Sequence, residues 1–357
     1  LIALNDPHLS TTSEDLETGD DSQLRTLRLP SLFPWPQRIE RATAFRRQHP
    51  VDWISLQFVG YAFDRRGMAA RLPRDLQPII GDALFHVMFH ELWVGVGETL
   101  PPLKERVIGR IQRHYVRRLL RELQPRLITT SIPFYQSLLA KLGFASVELP
   151  LFGNIPFSPI TQEDSAWAGA LLPNIPGGQA GPSNSRYLGL FFGSLHPEWK
   201  PEPLLGLLIA FAQKARLRLT LVSVGRLGGP GEMIWEKLRR EYAQALDFIA
   251  LGEQPIQRIS ALMQVADFGV AASPWHLIGK SGSVVAMLEH GLPVIVTRAP
   301  APTAEAPTVD PLLHRCDTDL AAQLAAGLAK LPPQGRLPSV TDAFLGRLAS
   351  LPPGPQA

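Results

Sequence analysis

The chain has 357 residues, 45% hydrophobic and 19% charged, which is a globular composition with length for about two domains. A net charge of +3 is too small to mark a nucleic-acid binder, and no nucleic-acid partner is expected. The single cysteine, Cys316, excludes an intrachain disulfide framework and a cysteine-built zinc cluster, so a reducing, cytoplasmic setting is expected. No apolar run is long enough to span a bilayer, and no signal-peptide pattern is present.

The opening Leu1-Ile2-Ala3-Leu4 reads as strand, entered mid-element as though the start were truncated or processed. A helix is expected over 35–48 and strands over 52–59 and 84–89. The first of these strands ends in Gln57-Phe58-Val59-Gly60-Tyr61, where Gln57 and Tyr61 are candidate site residues. The second runs into His90-Glu91-Leu92-Trp93, a group that offers hydrogen bonds and a stacking face. It is not the zinc motif His-Glu-x-x-His, because residue 94 is Val.

A helix over 103–123 carries Arg106, Arg110, Arg113, Arg117 and Arg121 on one face. Val107, Ile111, Tyr115, Leu119 and Leu123 lie on the other. Such a helix packs on a core with its charged side solvated, or docks on an anionic membrane surface through 104–126. A strand over 127–130, a helix over 134–142 and a strand over 146–151 follow, ending near Asn154, a further candidate site residue.

Residues 156–186 are rich in Pro, Gly and Ser and read as an interdomain linker or long loop. Beyond them, strands over 187–192, 217–225, 247–251, 267–272 and 292–297 alternate with helices over 203–215, 232–246, 255–265 and 281–290. Apolar strands alternating with helices of these lengths mean parallel βαβ units. The expected fold class is therefore α/β, two Rossmann-like domains facing across a cleft. They cover 1–155 and 187–335, with a Pro-rich tail over 336–357 that carries a short helix.

In such sheets ligands sit beyond the carboxyl ends of strands, so the loops there carry the candidates. Gly193 ends the 187–192 strand, and Lys200 follows as a point charge within reach of a diphosphate. Arg226 follows the next strand, and Gly252-Glu253 the one after. Gly279-Lys280-Ser281-Gly282-Ser283 opens the 281–290 helix, where free amides and the helix dipole favour a phosphate. It is not a P-loop, since the Gly required five positions before Gly279 is Pro274. Asp317-Thr318-Asp319 directly precedes a helix over 320–331, so capping rather than metal binding is expected there.

Residues 187–297, with Gly193, Lys200, Ser273-Pro274, Gly279–Ser283 and Gly291-Leu292-Pro293-Val294, resemble the donor domain of nucleotide-sugar glycosyltransferases of the GT-B fold, family 4 type. Residues 53–156 resemble their acceptor domain less closely. The resemblance implies a metal-independent transferase that moves a sugar, with retention, from a nucleoside diphosphate to a glycan, lipid-linked or small-molecule acceptor, with no cofactor beyond the nucleotide sugar. It implies a diphosphate held by Gly193, Lys200, Arg226 and Gly279–Ser283, and a nucleotide near Gly252 and Glu253. It also implies a sugar oriented by His90, with Glu91 and Gln57 toward the acceptor and Tyr61 and Asn154 on the acceptor side.

The two Glu residues that this type carries, with seven residues between them, would fall at 278 and 286, which hold Ile278 and Ala286; Glu289, one turn on, is the nearest carboxylate. The strand and Gly-rich loop that usually open these enzymes have no counterpart after Leu1. A non-catalytic, nucleotide-binding or scaffolding relative is the alternative reading.

Overall fold

The computed structural model describes residues 1–18, 23–96, 101–170, 186–197, 199–299 and 310–352. The chain divides into two compact units. One comprises residues 1–131, 135–148 and 345–357; the other comprises 132–134 and 149–344.

The first unit opens with a three-stranded sheet of β1 (Ile2–Asp6), β2 (Ser13–Thr18) and β3 (Gln23–Pro30), in the order β1-β3-β2. β2 and β3 pair antiparallel, whereas β1 runs parallel to β3. Only the strand-like start was legible in the sequence, because β2 reads SEDLET and buries none of its residues fully. Next comes α1 (Trp35–Gln48), opened by Pro34 and Pro36 and stopped before Pro50. Four parallel strands follow in the order β4-β5-β6-β7: β4 (Trp53–Phe58), β5 (Leu84–Phe89), β6 (Leu127–Thr130) and β7 (Val147–Glu148).

Between β4 and β5 lie the single turn α2 (Gly60–Phe63) and α3 (Leu72–Ile80). α3 escapes a periodicity reading because Pro73 and Pro78 interrupt it, yet it buries Leu72, Leu76, Ile79 and Ile80. α4 (Leu103–Leu123) joins β5 to β6, and α5 (Pro133–Lys141) joins β6 to β7. The arginines of α4 are exposed as expected, but its buried face runs through Gly109, Gln112, Val116, Leu119 and Leu120. Val107 stays half exposed. The cause is Gly109, whose absent side chain lets the helix backbone approach the Val94 carbonyl and sets its rotation.

The second unit begins earlier than the sequence suggests. α6 (Gln162–Ala170) occupies part of the expected linker, buries Ala168 and packs Trp167 against the unit's core. Residues 171–185 of that linker lie outside the described residues. The sheet then comprises β8 (Arg186–Phe192), β9 (Arg218–Val224), β10 (Asp247–Ala250), β11 (Phe268–Pro274), β12 (Val294–Arg298) and β13 (Leu313–Arg315). All neighbours are parallel and the order is β10-β9-β8-β11-β12-β13. Counted within the unit this is 3-2-1-4-5-6, the doubly wound order whose switch point lies between its first and fourth strands, here β8 and β11.

The crossovers are α7 (Glu202–Ala215), α8 (Gly229–Tyr242), α9 (Ile256–Val265) and α10 (Gly282–Glu289). α11 (Leu320–Ala326) and α12 (Leu337–Ser350) close the chain. Helices cover both faces of the sheet, giving one core under α9 and α10 and another under α7, α8 and α11. α8 starts three residues before its expected position, because Gly228 at φ +74° turns the chain directly into it. The helix expected over 320–331 stops before Gly327, whose φ is +84°, and the helix expected within the tail runs over Leu337–Ser350.

Candidate functional site

At the carboxyl ends of β8, β9 and β10 stand Gly193, Gly225 and Gly252, with φ of +89°, +90° and +63°. They bond to one another's strands: Gly193 N–H donates to Val224 O (2.9 Å) and Gly225 N–H to Gly252 O (2.7 Å). Only glycine takes these angles without strain, so each strand can turn off the sheet over its neighbour. The Gly193 amide is thereby spent on the sheet. What Gly193 supplies is space: a Cβ there would lie 3.8 Å from the Ser283 side chain, so the end of β8 faces the start of α10 across the switch point.

α10 begins at Gly282 with Ser281 as N-cap. Its first helical bond runs from Val285 N–H to Ser281 O, so the amides of Gly282, Ser283 and Val284 have no acceptor within the helix. The Ser281 hydroxyl bonds to that of Ser283 (3.1 Å) and makes no capping bond to the backbone. Gly279 and Lys280 end a 3-10 turn, Trp275–Lys280, and Lys280 is half-buried.

His276, in the same turn, is buried, and its pKa is lowered by burial and then by the positive charges of Arg298 and Lys280. Both cations therefore lie close enough to the imidazole to disfavour its charged form. Arg298 ends β12 in register with Pro274 of β11. It was not among the residues singled out from the sequence, although a basic residue closing a buried strand is a readable signal. The switch point thus gathers Gly193, Lys280, Ser281, Gly282, Ser283 and Arg298: two cations and a helix N-terminus, the chemistry of an anion site.

Lys200 is exposed, and the loop carrying it is anchored one residue earlier. Trp199 is buried and donates from Nε1 to Thr297 Oγ1 (2.8 Å), which donates in turn to Ala271 O (2.9 Å). Arg226 and Glu253, expected to have separate duties, form one exposed ion pair at 2.8 Å, joining the loops after β9 and β10.

Glu289, expected near the ribose, is held by partners within the protein. It is buried, and its carboxylate accepts from Gly153 N–H (2.9 Å) and Arg336 N–H (3.2 Å). Gly153 packs so closely that a Cβ on it would lie 2.9 Å from Ala286 Cα. Ile278 and Ala286 are both in the core, so neither position of the expected Glu pair has room or solvent for a carboxylate. Asn154 is exposed and belongs to the second unit, because the Glu289 bond holds its neighbour there; the boundary expected at 155 falls after Glu148.

In the first unit, His90 and Gln57 are together at the ends of β5 and β4, with His90 Nε2 2.8 Å from Gln57 Oε1. Gln57 Nε2 donates to Ser55 Oγ (2.8 Å), Ser55 meets His86 Nδ1 (2.8 Å), and His86 Nε2 meets Thr129 Oγ1 (2.8 Å). Thr129 donates to Met88 Sδ (3.0 Å), which fixes the direction of the whole chain. His86 Nδ1 accepts a hydrogen bond from Ser55 and its Nε2–H donates one to Thr129, while His90 donates from Nε2, leaving its Nδ1 as the basic nitrogen. Burial lowers the His86 pKa to about 4, so this relay stays neutral.

Glu91 is half-buried beside His90. Tyr61 is half exposed, and its hydroxyl accepts from Gln112 Nε2 (3.2 Å). Gln112 also binds Arg66 O and Val94 N–H, so Tyr61 is part of a brace between loops. Asp317 accepts from Asp319 N–H (3.1 Å), and Asp319 holds the N-cap position of α11 without a side-chain capping bond.

The sequence matches no protein-family model and no curated protein. Solved structures do match. A trehalose-6-phosphate protein of E. coli, bound with UDP-2-fluoro glucose, aligns over 98% of this chain and 92% of its own, at 11% identity and a TM-score of 0.55. Anabaena HepE, in complex with UDP and glucose, aligns over 91% and 86%, at 14% identity and a TM-score of 0.54. The catalytic domain of starch synthase IV from Arabidopsis thaliana, bound to ADP and acarbose, aligns over 89% and 80%, at 12% identity and 0.51.

The chain has a GT-B fold. Both units are Rossmann-like, as the alternation of strands and helices implies. No described helix is long and apolar enough to cross a membrane.

Proposed function

We propose that the protein is a glycosyltransferase that takes a sugar from a nucleoside diphosphate and passes it to an acceptor hydroxyl. The observation that carries this reading is the anion site at the β8/β11 switch point, where the Gly282, Ser283 and Val284 amides share one strand-end region with Lys280 and Arg298. The nucleotides named for the solved structures of the same fold support it.

In the proposed reaction the bond between the anomeric carbon and the diphosphate oxygen breaks, and the acceptor oxygen bonds to that carbon. The acceptor gives up its proton, and the bonding pair leaves with the diphosphate. Lys280, Arg298 and the α10 amides stabilise the charge growing on that leaving group without needing a metal. Lys200, on its Trp199-anchored loop, adds a mobile charge to the same end, and the Arg226–Glu253 pair borders the nucleotide side. His90 and Glu91, with Gln57 behind them, serve the sugar and the acceptor.

The test is turnover of a panel of UDP-, ADP- and GDP-sugars, followed as release of the nucleoside diphosphate. Slow hydrolysis of one donor, reduced at least tenfold in Lys280→Ala, is the expected result. No release from any donor contradicts transfer. A non-catalytic nucleotide-binding protein is the second reading, favoured by the buried Ile278 and Ala286. It predicts binding of a nucleoside diphosphate without hydrolysis of any donor.

A further inference from the structure

One face of the four-stranded sheet carries the side chains that lead to His90. The register pairs Ser55 with His86 and Gln57 with Met88 across β4 and β5, and Met88 with Thr129 across β5 and β6. Paired residues point to the same side of a sheet, as do residues two apart on one strand, so these side chains share a face. His90, two residues past Met88, joins them through its bond to Gln57. Thr129, Met88 and His86 are buried, whereas Ser55 and Gln57 are exposed on the edge strand β4.

Each link in this run constrains the next. The Met88 thioether carries no proton, so Thr129 donates to it (3.0 Å) and only accepts from His86 Nε2–H (2.8 Å). Burial keeps His86 neutral, with one ring proton, so its Nδ1 accepts from the Ser55 hydroxyl (2.8 Å). With that proton committed, Ser55 Oγ meets Gln57 Nε2 as an acceptor (2.8 Å), which turns the Gln57 amide oxygen toward His90 Nε2 (2.8 Å). A core histidine needs two bonds to be satisfied, but it does not need them to continue through an exposed serine and glutamine to a strand end. Here they do.

We propose that Ser55, His86 and Thr129 are positioning residues, which keep the proton of His90 on Nε2 and so make Nδ1 the nitrogen that meets a hydroxyl of the donor sugar. The role toward the sugar rests on the glycosyltransferase reading, whereas the tautomer does not. A neutral histidine accepts a hydrogen bond only through the nitrogen without the proton, and the partner of the other nitrogen decides which that is. Gln57 by itself does not decide it, because an exposed amide can present either its oxygen or its NH2 to the ring. The buried end makes the choice, through Thr129 on Met88, and His86 and Ser55 transmit it. Reversing the run would present the Gln57 NH2 to His90 Nε2 and move the ring proton to Nδ1.

The test is long-range proton–nitrogen correlation NMR of the full chain with isotope-labelled histidine, at about pH 8, above the ordinary histidine pKa. The two signals are identified by their loss in His86→Gln and His90→Gln. In the native chain both rings should carry the proton on Nε2. Thr129→Val keeps the side-chain shape without the hydroxyl, so His86 should then donate from Nδ1 to Ser55, and the His90 proton should move to Nδ1 with it. Thr129→Ser should keep both protons on Nε2. Ser55→Ala, at an exposed position, should leave His86 as it is and release His90 into a mixture of the two forms. Donor hydrolysis without an acceptor should fall at least tenfold in Thr129→Val and persist in Thr129→Ser. A native His90 protonated on Nδ1, or a His90 unmoved in both Thr129→Val and Ser55→Ala, overturns the proposal. Unchanged hydrolysis in a variant whose His90 has switched also overturns it. The spectra need no donor, so a chain that hydrolyses none loses the transferase reading while they still decide the tautomer.

Discussion

In the proposed anion site, Lys280 and Arg298 share the work with three backbone amides, and both side chains are half-buried. A hydrogen bond to a charged group contributes about 1.5–3 kcal/mol. Lys280→Ala and Arg298→Ala should therefore each weaken binding of a nucleoside diphosphate roughly 10- to 100-fold, measured by calorimetry. His86 gives a pH prediction. Its folded pKa, about 4, lies below the ordinary histidine value, so its stabilising effect is complete above about pH 6.5 and is lost as pH falls toward 4. The loss is on the order of 3 kcal/mol, read as a drop in urea midpoint between pH 7 and pH 4 that is smaller in His86→Gln.

At the scale of elements, the contact of α10 with Gly153 decides what the helix can carry. Glu289 binds two backbone amides while buried, so Glu289→Ala leaves both unsatisfied and should cost about 2–4 kcal/mol in chemical denaturation. Glu289→Gln, which keeps an acceptor oxygen, should cost less. Gly153→Ala should also destabilise, because its Cβ would meet Ala286 backbone rather than a flexible side chain. The sequence placed α10 and its Gly-rich start well, because the apolar run from Val284 to Leu288 is bounded by small residues on one side and Gly291 on the other. It could not show that Glu289 is occupied by Gly153 and Arg336, since those partners lie 136 and 47 residues away. Arg298 escaped for a similar reason: its value comes from Pro274 and His276, which only the pairing of β12 with β11 brings near.

For the whole molecule, the second unit was the more legible half because its strands are buried on both faces and read as continuous apolar runs. β2 and α3 of the first unit carry no such pattern, one being charged and the other broken by proline. The strand order 3-2-1-4-5-6 follows from pairing that no local pattern encodes, and it turns a loop with a lysine into a site at a switch point. The central claim is that this switch point holds a nucleoside diphosphate. Its most direct test is calorimetric titration of the full chain with UDP, ADP and GDP, repeated with Lys280→Ala. Saturable one-to-one binding of at least one nucleotide, weakened tenfold or more by the substitution, is the predicted result. Failure to bind any of the three, or binding unchanged in Lys280→Ala, would contradict it.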